Sequence, residues 1–140
     1  MMKVPVSGGE AVDIIGPAGY SGFESPDGKH LLYDFESGGV WSIWRVPLEG
    51  GPGAPVIKIG QAPKNWTVTK AGIYFFDSDA KSQPAIKFHS FATGQTKPIA
   101  AVVKDRGSGG LTVSPDGRWV LYTQLEGSYS SDIMLVENFR

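Results

Sequence analysis

Two histidines, no cysteine and fourteen carboxylates are the stock from which a catalytic or metal site in this chain would be built. His30 and His89 lie far apart, and neither has a second ligand at the short spacing of a zinc site. The lack of cysteine removes thiolate ligands, thiol nucleophiles and disulfides together. A serine nucleophile needs a sharp elbow of the Gly-x-Ser-x-Gly type. Gly19-Tyr20-Ser21-Gly22 and Gly107-Ser108-Gly109-Gly110 have a different form and read as loops. The second also lacks the Lys-Ser/Thr pair and following helix of a phosphate loop. Asp27 and Asp116 sit in Ser-Pro-Asp-Gly turns, where an aspartate bonds its own backbone; a calcium role is the sharper alternative. These residues lead to no catalytic, metal or cofactor assignment.

The elements that position these groups are short. Of 140 residues, 19 are glycine and 10 proline, which breaks long helices. Hydrophobic residues reach 41%, too many for a disordered chain. The expectation is an all-β protein in one domain. The net charge is -1 with no run of like charge, so the electrostatic drive for nucleic acid or an anionic membrane surface is missing. Met1 to Gly9 lacks the apolar core of a signal peptide, and no apolar run nears the ~20 residues of a membrane span. The chain therefore reads as soluble, periplasmic or cytoplasmic.

A repeat organises the chain. Ser25-Pro26-Asp27-Gly28 returns as Ser114-Pro115-Asp116-Gly117, and Thr69-Lys70-Ala71-Gly72 stands midway as a degraded copy. Gly28, Gly72 and Gly117 are 44 and 45 residues apart. A strand-like stretch precedes each turn: Gly22–Glu24, Trp66–Val68 and Leu111–Val113. An apolar run follows each: His30–Asp34, Ile73–Asp77 and Trp119–Thr123. Third runs cover Val40–Leu48, Ala85–Phe91 and Asp132–Phe139, and fourth runs cover Pro55–Ile59 and Pro98–Val103. Four strands in about 44 residues is the period of a β-propeller blade. The expected blades are 16–59, 60–104 and 105–140.

The ends are out of phase. Lys3-Val4-Pro5-Val6-Ser7-Gly8-Gly9 parallels Arg45-Val46-Pro47-Leu48-Glu49-Gly50-Gly51, so residues 10–15 form a fourth strand and 105–140 lacks one. Three blades are too few for a ring. The expectation is a half-propeller, 1–140, that closes a six-bladed ring as a homodimer, each N-terminal strand completing the partner's last blade.

Ser25–Tyr33 and Ser114–Tyr122 resemble the TolB-like, WD-repeat-like propeller repeats of bacteria. Val46-Pro47-Leu48-Glu49-Gly50-Gly51 resembles their turn from third to fourth strand, and 131–140 is similar to the C-terminus of large proteins carrying such propellers. The resemblance implies a module that binds another protein or serves as a scaffold or sensor. Four residues are candidates for a channel mouth: Tyr20, Lys64, Asn65 and Trp66, at or beside the start of first strands. Trp41 and Trp44, three apart on one strand, point to opposite faces and read as core. The alternative is a metal-dependent hydrolase or lactonase, for which Glu24, Asp13 and Asp105 are the available carboxylates. A half-propeller with no ligand at all is a third reading.

Overall fold

In a Ser-Pro-Asp-Gly turn, proline presets one backbone angle, the aspartate bonds the backbone beyond it, and glycine takes the left-handed angle. Both copies do this in the same way. The Ser25 and Ser114 hydroxyls donate to Asp27 and Asp116 Oδ1 at 2.5 Å. The amides of Lys29 and Arg118 donate to the same oxygens at 3.1 Å. Gly28 and Gly117 have φ of 67° and 70°. Both turns end their strands in register.

The computed structural model describes residues 1–16, 19–60, 65–77, 83–102, 110–126 and 130–136. It is all-β, with no helix among them. In chain order the strands are β1 (Met2–Lys3), β2 (Val12–Asp13), β3 (Gly22–Glu24), β4 (His30–Ser37), β5 (Val40–Pro47), β6 (Ala54–Gly60) and β7 (Trp66–Thr69). They continue as β8 (Gly72–Asp77), β9 (Ala85–Ser90), β10 (Thr96–Ala101), β11 (Leu111–Val113), β12 (Val120–Glu126) and β13 (Ser130–Val136). Strands β3 to β6 form one four-stranded sheet in sequential order, β7 to β10 a second, and β11 to β13 a three-stranded sheet. β1 and β2 pair as a separate ribbon, so the expected 10–15 strand is reduced to its middle. Pairing is antiparallel in β1–β2, β3–β4, β4–β5, β7–β8, β8–β9, β9–β10, β11–β12 and β12–β13, as short hairpin links require.

The chain divides into two compact units, Met1–Lys58 and Ile59–Arg140. In the first, Leu31, Tyr33 and Val46 form a core on one face of β4 and β5. Met1, Ile14 and Ile15 cover it from the ribbon side, and Phe35 packs edge-on to Trp44 at 5.3 Å. In the second, Phe76, Ile86, Val102, Leu111 and Val120 close the space between the two sheets. Each such buried aliphatic contributes about 1.5–3 kcal/mol. Pro98 lies on the outer strand β10, beside a shift in register. A residue without an amide donor is tolerated there.

The middle hairpin departs from the expected repeat. Glu24 pairs with Leu31 and Val113 with Val120, but Val68 pairs with Ile73, so the β7–β8 link is two residues shorter. Gly72 is thus not the counterpart of Gly28. It lies inside β8, and glycine is required there because an added Cβ would sit 2.0 Å from the His89 carbonyl oxygen.

The same sheet holds His89, which is 9% exposed and whose Nδ1 lies 3.0 Å from Thr96 Oγ1. Burial holds its pKa below the ordinary 6.5. In Asp27 and Asp116 the serine hydroxyl bond, then the backbone amide bond, holds the carboxyl below 3.8. All three groups bind protons more readily unfolded than folded, so stability falls as pH falls. The loss begins below 6.5 for the histidine and below 3.8 for the aspartates, and each ends at the folded pKa. Urea midpoints measured across that range are expected to fall in two steps. His89→Gln should remove the upper step and Asp116→Asn reduce the lower.

Candidate functional site

The loops ahead of the first strands occupy equivalent positions in the three sheets. The amides of Asp34, Phe76 and Thr123 donate to the carbonyls of Ser21, Asn65 and Gly110, at 3.2, 2.9 and 3.2 Å. The slots inferred from the repeat are therefore matched in register.

Their side chains do different things. Asn65 is 8% exposed, and its Oδ1 accepts the Gly110 amide at 3.2 Å, stitching the second sheet to the third. Trp66 is 1% exposed and packs as core. Asn65 and Trp66, read from the sequence as facing a channel or its mouth, are thus both buried. A strand-opening slot sets where a residue lies along the sheet, and for Asn65 the bond from Gly110 brings the third sheet against it. Asn65 also lines a cleft with Phe76, Val102, Leu111, Tyr122 and Thr123, whose walls are largely apolar. Lys64 lies outside the described residues.

Tyr20, in the first unit, is 68% exposed. Its ring meets that of Trp41 edge-on, with centroids 5.3 Å apart. Trp41 is half-buried and pairs across the strands with Glu36, whereas Trp44 pairs with Tyr33, so the two tryptophans do take opposite faces.

The residue that holds this loop is Asp34, fully buried on β4. Its Oδ1 accepts the amides of Tyr20 at 2.6 Å and Ser21 at 2.9 Å, and its Oδ2 accepts the Ser21 hydroxyl at 2.6 Å. The sequence reading passed over Asp34 as the end of an apolar run. The signal was there: it alternates with Leu32 and so lies on an inward face.

The carboxylates weighed for an ion are largely engaged by backbone. Asp13 Oδ1 accepts the amides of Gly16 at 2.8 Å and Ile15 at 3.2 Å. The Gly16 bond is the main reason its pKa lies below 3.8. Asp27 and Asp116 serve their own turns, Glu24 is exposed on β3, and Asp105 lies outside the described residues. Among the described residues no three of His, Asp and Glu converge. His30 faces Asp27 at 3.8 Å on the turn. Asp77 pairs with Lys87 across β8 and β9. No helix among the described residues is long and apolar enough to cross a membrane.

With this geometry in hand, likeness to solved proteins gives the class. The chain is similar to the crystal structure of TolB from Acinetobacter baumannii, with a TM-score of 0.71 at 18% identity. The match covers 91% of this chain and 32% of that one, so the chain spans about a third of the TolB chain it matches. The fold is that of a TolB-like propeller fragment. No family model and no curated protein matches the sequence.

Proposed function

We propose that this chain is a non-enzymatic propeller module that binds protein and completes its ring with a second copy of itself. One observation carries the reading. The sheet β11–β13 has three strands among the described residues where the two before it have four, and the sequence repeat assigns 10–15, which holds β2, to a fourth strand. The ribbon that holds β2 is unsupported on its outer surfaces: Val4 is 58% exposed and Val12 53%. Two-stranded ribbons are marginal alone, and an unpaired sheet edge invites a further strand. Docking β2 of one copy on β13 of the other meets both needs and gives a ring of six sheets. The non-enzymatic part is supported by the aspartates Asp13, Asp27, Asp34 and Asp116, which all hold backbone amides.

Light scattering on the purified chain is expected to give twice the mass of one chain. Val12→Asp on β2 should shift it toward one. A wild-type chain that stays monomeric at high micromolar concentration removes the ring.

A further inference from the structure

We infer that the corner between Tyr20 and Trp41 binds a cationic side chain, arginine or lysine, of a partner protein. The inference rests on the protein-binding reading above and names the chemistry such a partner presents.

Three observations carry it. First, the two rings meet at 61° with centroids 5.3 Å apart, and Tyr20 is 68% exposed. Aromatic faces attract cations within about 6 Å of the ring. Second, Glu36 stands opposite Trp41 across β4 and β5. Paired positions of this kind put Cβ atoms about 4.5–5.5 Å apart on one face, which brings a carboxylate beside the tryptophan. The Gly39 amide donates to Glu36 Oε1 at 2.5 Å, which leaves Oε2 for a guanidinium or ammonium. Third, the mount is rigid: the Tyr20 amide is held at 2.6 Å by the buried Asp34 carboxylate. An exposed aromatic on a fixed backbone loses little freedom on binding.

Among the described residues no lysine or arginine forms an ion pair with Glu36. Arg45 shares its face, but four residues along β5, about 13 Å away.

The test uses the whole chain labelled with nitrogen-15, and N-acetyl-arginine amide as probe. N-acetyl-citrulline amide, of the same shape without the charge, is the control. The Trp41 indole resonance, identified from Trp41→Phe, is expected to shift saturably with the arginine probe and not with citrulline. Glu36→Gln keeps the acceptor for Gly39 and should weaken binding about fivefold. Tyr20→Leu should abolish the shift. Equal response to both probes, no response to either, or wild-type binding by Glu36→Gln and Tyr20→Leu overturns the inference. Light scattering on the same samples separates the two proposals. A dimer without an arginine shift sinks this site alone, and a monomer with the shift sinks the ring alone.

Discussion

Replacing Gly72 with alanine is expected to cost about 3 kcal/mol, a fall of roughly 10 °C in Tm for a chain of this size. The new Cβ would lie 2.0 Å from the His89 carbonyl oxygen and 2.8 Å from the Phe88 ring. The ring has room to turn, but the carbonyl belongs to β9, which pairs with β8 along six positions from Gly72 to Asp77. Relief therefore means parting two strands. Gly28→Ala is the control. Its φ of 67° penalises a side chain, but the nearest contact is the end of Glu24 at 3.4 Å. That variant should lose only about 1–2 kcal/mol. Thermal melts followed by circular dichroism compare the two. A Gly72→Ala chain that melts with the wild type would show that β8 and β9 are not paired in this register.

Removing the Asp34 carboxylate has a comparable effect by another route. Asp34→Ala leaves two amides and a hydroxyl, from Tyr20 and Ser21, without the acceptor they share. Buried donors stripped of their partner cost about 1–3 kcal/mol each, and partial hydration of an exposed loop lowers the sum, so about 3 kcal/mol is expected. Asp34→Asn keeps one carbonyl oxygen for the two amides, and its NH₂ group finds the Ser21 oxygen as acceptor. It should lose about 1 kcal/mol. Urea denaturation at neutral pH measures both. Equal loss in the two variants would mean that charge, rather than hydrogen bonding, holds the loop.

Most of the strand plan was legible because turn chemistry and side-chain alternation are local. Ser25-Pro26-Asp27-Gly28 and its copy announce their hairpins, and the apolar runs that follow became β4 and β12. Gly72 was misplaced because a glycine in a turn and a glycine under a crossing carbonyl look alike in one dimension. The site was less legible for a similar reason. Equivalence along the repeat located Asn65 and Trp66 at strand openings, but depth depends on the next sheet, which that equivalence does not contain. Tyr20, at the equivalent slot of the first sheet, is 68% exposed. Asp34 went unnoticed since a charged residue bordering an apolar run usually marks its end. Here three donors from a loop thirteen or fourteen residues earlier meet it.

The short β7–β8 hairpin has a practical corollary. Its link differs from its counterparts by two residues, yet the pairs Val68–Ile73, Glu24–Leu31 and Val113–Val120 form on either side in the same way. Peptides spliced between the exposed Lys70 and Ala71 should therefore be displayed without disturbing the pairing of β7 with β8. That corner is a natural graft point for epitopes or affinity tags.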